Sequence, residues 1–258
     1  MWWLHWNNRP GLYGAIGRGS SFVSSGVQKR AKLDRVLVCA RVSKTGAFVF
    51  VDNDAVFSDQ VIVFPTGEIE NFVILQSAIH GVYAWKHSSQ LKADMRYTPT
   101  DVYETFPFPS GVLSNSTAFE LGEEFHALRA RTMREEKIGL TKLYTKYHKR
   151  DTTDKEYNTL RDLQVALDLA VLEAYDWRDI DLNHDYHAVS YLPDNDNIRF
   201  TISENARQTV LSRLASLNKE RHEAENQSNS TAKRVRSVKS TSAEDAIDDL
   251  FSAQGGGR

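Results

Sequence analysis

The stretch "RYTPTDVYETFPFP", residues 96–109, lies between an apolar, helix-like segment and a long, strongly charged one. It contains one Thr-Pro and two Phe-Pro pairs. Because proline fixes φ, lacks an amide donor and pushes the preceding residue towards extended geometry, the stretch predicts an extended connector. Its apolar side chains would anchor it to a core: Tyr97, Val102, Tyr103, Phe106 and Phe108. We interpret it as a rigid joint between two modules.

The charges of the chain are unevenly distributed. The 258 residues carry a formal net charge of -2, yet residues 1–50 hold eight Lys and Arg against the single acid Asp34. The next twenty residues reverse this balance with five acids. A basic block of this kind is typical of a phosphate-binding face, or of an ordinary solvated surface.

Cysteine usage and hydropathy exclude several protein classes. Cys39 is the only cysteine, which excludes disulfide scaffolds and zinc knuckles, and its apolar surroundings indicate a small buried hydrophobe. No apolar stretch is long enough to span a bilayer, and the opening lacks the features of a secretory signal. We therefore expect no membrane association and a cytoplasmic location. Trp2, Trp3 and Trp6 predict a terminus docked on this chain's own core or on a larger assembly.

The apolar patterns divide the chain into strand-like and helix-like parts. Val- and Phe-rich runs predict strands at 33–42, 46–51 and 59–64, with a turn at 43–46. Helical spacing predicts helices at 68–85, 117–149, 154–176 and 203–223, while 86–95 has no strong period. Thr153 or Asp154 and Ser203 are the expected caps of the last two helices.

These elements predict an α+β fold class with three regions. Residues 1–112 would form a small mixed α/β module, and residues 113–225 an all-helical C-terminal module interrupted by a short hairpin or irregular segment. Residues 226–258 are rich in Ser, Asn, Lys and Gly, which predicts a disordered tail.

The sequence contains no complete catalytic motif. The Gly-rich "GAIGRGSS" follows no strand and lacks the Gly-Lys-Ser/Thr of a phosphate cradle. His184 and His187 could form part of a metal site, but a polar loop is the favoured interpretation because no third ligand accompanies them. Glu135 and Lys137 have a nuclease-like spacing in a charged helix without the strand that such a site requires. We expect neither a catalytic nor a metal site in this chain.

Several motifs, in one order, resemble the C-terminal part of MmeI-like, Eco57I-type restriction-modification DNA methyltransferases. They are "WWLHWNNRPGLYGAI", "LDRVLVCARVSKTGAFVFV", "LKADMRYTPTDVYETFPFP", "GLTKLYTKYH", "LRDLQVALDLAVLEAYDW" and "RFTISENARQTVLSRLASLNKERHEAE". The resemblance implies a target-recognition domain that reads double-stranded DNA, followed by the family's helical region. It also implies a bacterial or archaeal cytoplasmic protein associated with the nucleoid through DNA.

The regions that precede this part in the family, a nuclease and an S-adenosylmethionine-dependent adenine methyltransferase, are missing. The resemblance therefore implies no cofactor in this chain, and S-adenosylmethionine only in a methyltransferase core supplied in trans or in a longer parent polypeptide. The chain is then either a truncated remnant or a separate specificity subunit.

Polar side chains near the predicted turn and the joint are the candidates for DNA contacts. Gln suits adenine, and Lys and Arg suit guanine, when they reach base edges in the major groove. The candidates are Ser43, Lys44, His87, Ser88, Gln90, Lys92 and Arg96. Each could instead be a solvated loop residue, and Arg96 could pair with Asp94 or Asp101.

Two other functions remain open from the residues. One is a protein-interaction subunit that docks a partner through its helical half without reading DNA. The other is a stand-alone enzyme using His184 and His187, which bound metal would indicate.

Overall fold

The computed structural model describes residues 10–18, 31–110 and 116–226. The expectations for Trp2, Trp3 and Trp6 and for the tail beyond residue 226 lie outside these ranges.

The first half is a mixture of short strands and helices. In chain order its elements are α1 (Pro10–Ala15), β1 (Arg35–Ala40), β2 (Val42–Ser43), β3 (Phe48–Asp52), β4 (Val61–Phe64), α2 (Ile69–Gln76), α3 (Ala78–His87), β5 (Ser89–Leu91), β6 (Asp94–Arg96) and α4 (Pro99–Val102).

The second half is mainly helical. Its elements are α5 (Ser116–Glu136), α6 (Leu140–Tyr147), α7 (Lys155–Ala174), β7 (Asp185–Ala188), a 3-10 turn (Asp194–Asp196), β8 (Ile198–Thr201) and α8 (204–226). The α+β class predicted from the sequence is confirmed, with the β7–β8 hairpin inside the helical half.

A three-stranded antiparallel sheet in the order β3-β1-β4 forms the centre of the first half. One face carries aromatic rings, among them Phe48, Phe50 and Phe64, which contact rings from α2, α3 and the joint. The opposite face carries valines that pack with Ile16 and Phe57. Since β1 is covered on both sides, its run of buried residues is continuous rather than alternating.

The helix predicted at 68–85 is two helices, which corrects the sequence-based prediction. Ser77 has extended backbone, with φ -65° and ψ 154°, and separates α2 from α3. Its hydroxyl donates to Ile74 O at 2.7 Å and accepts from His80 N at 3.3 Å. A serine that bonds to nearby backbone in this way competes with the helical ladder.

The helix predicted at 117–149 is also two helices. α5 ends at Glu136, and Lys137 follows with a φ of 54°. α6 then starts after Gly139. A left-handed residue cannot continue a right-handed helix, so the chain turns here. The cap predicted at Ser203 is confirmed by its bond from Ala206 N, whereas the Asp154 side chain makes no capping bond to α7.

The joint is less extended than predicted. Pro99 begins the helical turn α4, where its missing amide costs nothing. The anchoring role of the apolar side chains is confirmed for Tyr97, Val102 and Phe106, which are buried, whereas Tyr103 and Phe108 are half-buried. Tyr83 OH on α3 donates to Thr105 O at 2.9 Å, which ties the joint to the first half.

The chain divides into two compact units, residues 1–211 and 212–258. All strands and helices α1–α7 belong to the first unit, and the described part of the second is the helix segment 212–226. The predicted boundary at 112/113 stays a prediction. None of the helices in the described ranges is long and apolar enough to cross a membrane.

Candidate nucleic-acid interface

All seven candidate residues lie on or beside one small sheet, which we call the hairpin sheet and which consists of β2, β6 and β5 in that order. Ser43 belongs to β2, Gln90 to β5 and Arg96 to β6. Lys44, Ser88 and Lys92 directly adjoin strand ends, and His87 is the last residue of α3. The structure thus places in one region residues that are up to 53 positions apart in sequence (96 minus 43).

The segment 86–95, predicted without regular structure, contains the end of α3 and most of the β5–β6 hairpin. Leu91 pairs with Asp94, so Lys92 and Ala93 form a two-residue turn. Such turns need left-handed backbone, and Lys92 has a φ of 58°. Only Ser88 separates α3 from β5, so the end of α3 fixes where the hairpin begins.

The hairpin sheet has an inner and an outer face, and the candidates divide between them. Ser43 and Gln90 are both cross-strand neighbours of Met95, which is 3% exposed. Residues directly opposite one another share a face, so Ser43 and Gln90 lie on the inner one. Gln90 is exposed nonetheless, because β5 is an edge strand.

Arg96 lies on the outer face with Val42 and Ser89. The alternation of the strand places Leu91 on this face too. Arg96 is exposed and Leu91 is 51% exposed. Among the described residues, no ion pair joins Arg96 to Asp94 or Asp101. Leu91 was not among the candidates predicted from the sequence. Recognising the hairpin at 89–96 and its register would have placed Leu91 on the same face as Arg96.

Two of the candidates, Lys44 and His87, contact other side chains of the protein. Lys44 Nζ pairs with Asp196 Oδ2 at 2.8 Å, and both side chains are about half exposed. This bond lowers the pKa of the Asp196 carboxyl. The His87 ring lies 4.1 Å from the Tyr83 ring, and partial burial lowers its pKa, which favours the neutral form. Within the described part of the chain, the buried Ser88 hydroxyl has no hydrogen-bond partner.

The basic block of the first fifty residues is only partly available as a positive face. Arg35 pairs with Glu123 at 2.9 Å and lies over the Phe50 ring. Arg18 donates to Ala55 O and Arg41 to Asp59 O, so both keep a net positive charge. The remaining cations of this block, apart from Lys32 and Lys44, lie outside the described residues.

A buried polar network connects the helical half to the sheets. Arg129 of α5 is 1% exposed and donates to Phe48 O, to Gln76 Oε1 at 3.1 Å and to Tyr144 OH at 3.0 Å. Gln76 Oε1 also accepts from Phe48 N at 3.1 Å. The guanidinium lies near the faces of two phenylalanine rings, where its charge is stabilised.

Asp168 of α7 holds the start of α3. Its Oδ1 accepts from Ala78 N at 2.7 Å and from Gln164 Nε2 at 2.9 Å. Its Oδ2 lies 2.8 Å from His184 Nε2. A carboxylate at a helix N-terminus satisfies an unpaired amide and interacts favourably with the helix dipole. The helical half therefore orients the helix that leads into the hairpin sheet.

An open cleft of about 1040 Å³ lies beside the hairpin sheet. Its lining includes Ser43, Lys44 and Thr45, residues of α6 and the segment 194–199. Cations and acids both line it, so its charge is mixed.

The structure shows which groups contact the two histidines that raised the question of metal chemistry. His184 is bonded to Asp168, and His187 Nε2 lies 2.8 Å from Asn183 O. Among the described residues, no three His, Cys, Asp or Glu side chains are grouped as a metal site would require.

Comparisons with known proteins point to one family. The family model of the MmeI target recognition domain matches residues 22–110. A solved structure of the Type IIL restriction-modification enzyme MmeI in complex with DNA is similar, with a TM-score of 0.51 and 17% sequence identity. That match covers 84% of this chain and 24% of the MmeI chain, so the chain spans about a quarter of its length. No curated protein matches this chain.

The matched region contains the central sheet, α2, α3 and the hairpin sheet, and it ends with the joint. The region is therefore similar to a target recognition domain. More particularly, it resembles the MmeI target recognition domain, and the chain shares the fold of the MmeI structure over 84% of its length.

Proposed function

We propose that this chain is the DNA sequence recognition part of a restriction-modification adenine methyltransferase and is not catalytic by itself. The observation that carries the proposal is the match of residues 22–110 to the MmeI target recognition domain. The MmeI structure that resembles this fold contains DNA. The hairpin sheet would be the part that reads base edges.

The chemistry of the hairpin sheet supports this role. A two-stranded β-ribbon fits the major groove, and Arg bonds guanine O6 and N7 while Gln bonds adenine N6 and N7. Arg96 and Gln90 are exposed on the β5–β6 ribbon, and Lys92 is exposed at its tip. Leu91 would contact a thymine methyl group from the same face as Arg96.

The binding of S-adenosylmethionine and the methyl transfer would be carried out by a separate methyltransferase core. A methyltransferase core, in trans or in a longer parent polypeptide, would bind S-adenosylmethionine and transfer the methyl group to adenine. This chain would select the duplex on which that core acts, in the cytoplasm of a bacterial or archaeal cell.

Selection from a randomised duplex pool by the full chain tests the proposal. We expect enrichment of a short motif, and loss of preference at one position on Arg96→Gln or Gln90→Ala. Each direct contact should contribute about 1–3 kcal/mol of discrimination. Arg178→Gln is the control, because Arg178 is an exposed cation paired with Glu173 outside the hairpin sheet.

A pool that is bound without any enrichment would contradict sequence reading by this chain. A chain that binds no DNA but binds a methyltransferase core would instead indicate the protein-interaction function.

A further inference from the structure

In the helical half, the acid-free stretch that carries the most cations lies at α6 and the turns beside it. Residues 137–150 contain five cations and no acid, in a chain of net charge -2. The cations are Lys137, Lys142, Lys146, Lys149 and Arg150. Sequence reasoning singled out the first fifty residues and passed over this second basic segment.

α6 presents these charges on one side. Leu143, Tyr144 and Tyr147 are buried and attach the helix to the protein. Thr141, Lys142, Thr145 and Lys146 are exposed, as are the two cations that follow the helix. The apolar side is thus used for packing, and the polar side faces solvent.

The cations are held weakly or not at all by acids. Lys146 pairs with Glu136 at 2.6 Å, and Arg150 with Asp185 at 3.3 Å. Exposed pairs of this kind contribute about 0–1 kcal/mol, so a phosphate could displace the carboxylate. Within the described residues, Lys142 and Lys149 form no ion pair.

The basic side of α6 adjoins the cleft beside the hairpin sheet. Thr141 and Thr145, one helical turn apart on α6, line it together with Lys149 just beyond the helix, and Ser43 and Lys44 line it too. Lys142 and Lys146 lie on the neighbouring stripe of the helix.

Four acids line the same cleft: Asp94, Asp151, Asp194 and Asp196. Asp196 is compensated by Lys44 and Arg199. The other three make the cleft itself unsuitable for an anion, whereas Lys142 and Lys146 of α6 are exposed and are not among the residues that line it.

Building on the proposed function, we propose that the exposed side of α6, together with Lys149 and Arg150, binds the phosphate backbone of the DNA duplex whose bases the hairpin sheet reads. Hydroxyl and ammonium groups are the side-chain donors that contact phosphate oxygens, and such contacts position the protein without selecting sequence. The helical half would then be part of the DNA interface as well as the support of the recognition domain.

Equilibrium binding by the full-length variant Lys142→Gln/Lys149→Gln tests this surface. We expect weaker binding to all duplexes alike, with unchanged base preference. The slope of log K against log salt should become shallower by about 0.9 for each lost contact, or about 1.8 for two. Arg178→Gln/Lys219→Gln removes two exposed positive charges outside α6 and should leave the slope unchanged. Matching circular dichroism of all three proteins shows that folding is unaffected.

The outcomes separate this proposal from the proposed function. Suppose that the wild type selects a motif and that the α6 variant binds DNA with the wild-type affinity and salt slope. The proposal that α6 binds phosphate is then wrong, and the proposal that this chain reads DNA sequence is supported. If the wild type binds all duplexes equally and the α6 variant binds them less tightly, the proposal that α6 binds phosphate is supported, and the proposal that this chain reads DNA sequence is contradicted. Failure of the wild type to bind any DNA would overturn both.

Discussion

Lys92 combines a strained backbone with an exposed charge at the tip of the hairpin sheet. Its φ of 58° is favourable for glycine and costs a residue with a side chain about 1–2 kcal/mol. The two contributions can be separated by comparing Lys92→Gly with Lys92→Ala.

We expect Lys92→Gly to be more stable than Lys92→Ala by about 1 kcal/mol in urea unfolding, since only glycine relieves the strain. Both variants lack the ammonium group, so a change in DNA binding that they share reports the side chain. Equal stability of the two variants would contradict a left-handed residue at this turn.

His80, which is buried, and His148, which is half-buried, should make the stability of the protein depend on pH. Burial lowers the pKa of His80 to about 3 and that of His148 to about 3. In the unfolded chain both titrate near about 6.5. Between these values only the unfolded state binds the protons, so the free energy of unfolding falls as the pH falls below about 6.5.

His148→Gln should reduce this dependence by about 1.4 kcal/mol per pH unit near pH 5. The amide oxygen of Gln can still accept the bond that Phe200 N now makes to His148 Nδ1 at 3.2 Å. Urea unfolding between pH 5 and 7 measures the difference, with the exposed His222→Gln as the matched control. If the free energy of unfolding of the His148 variant depended on pH as steeply as that of the wild type, the folded protein would not hold His148 in its neutral form.

At the scale of elements, the sequence predicted those whose pattern is local. β1, β3 and β4 are Val- and Phe-rich runs bounded by turn residues, and their existence followed from composition. The breaks at Ser77 and Lys137 did not, because each depends on one residue's backbone conformation within a continuous apolar pattern.

The hairpin sheet was missed for a related reason. Its turn is Lys92-Ala93, which lacks the Gly or Asn that usually marks a two-residue hairpin. The candidate residues were nevertheless chosen in the region that the sheet brings together. What the sequence could not provide was the division into faces, which separates Arg96 from Gln90 and adds Leu91.

The contact between Asp168 and α3 links an element of the helical half to the hairpin sheet. Asp168→Ala would leave the partly buried Ala78 N without its acceptor, at a cost on the order of 1–3 kcal/mol. We expect faster amide exchange at the start of α3 and in β5. Asp168→Asn keeps an acceptor oxygen and should restore most of the protection. Unchanged exchange in Asp168→Ala would show that α3 is held by its other contacts.

At the scale of the whole molecule, the two halves predicted from the sequence are joined by buried contacts. A Cβ on Gly122 of α5 would come within 2.8 Å of Val73 and Ile69 side chains of α2. Arg129 extends from α5 to β3 and α2. This close packing would be lost if the chain ended before α5.

We therefore expect residues 1–112 alone to unfold without a cooperative transition, whereas residues 1–226 unfold cooperatively. Urea titrations followed by circular dichroism measure this. A cooperative transition in the shorter chain would support the predicted boundary at 112/113 as that of an independently folding domain.

The burial of Cys39 makes it possible to label the protein at one chosen position. Cys39 is the only cysteine in the chain and lies in β1, where it is 2% exposed. This burial raises the pKa of its thiol to about 12. Thiol reagents act on the exposed thiolate, so the native protein should react slowly with maleimides. A cysteine introduced at Lys92 would then be labelled selectively without first removing Cys39. A photo-crosslinker attached there would report which nucleotides lie next to the hairpin tip, one position at a time.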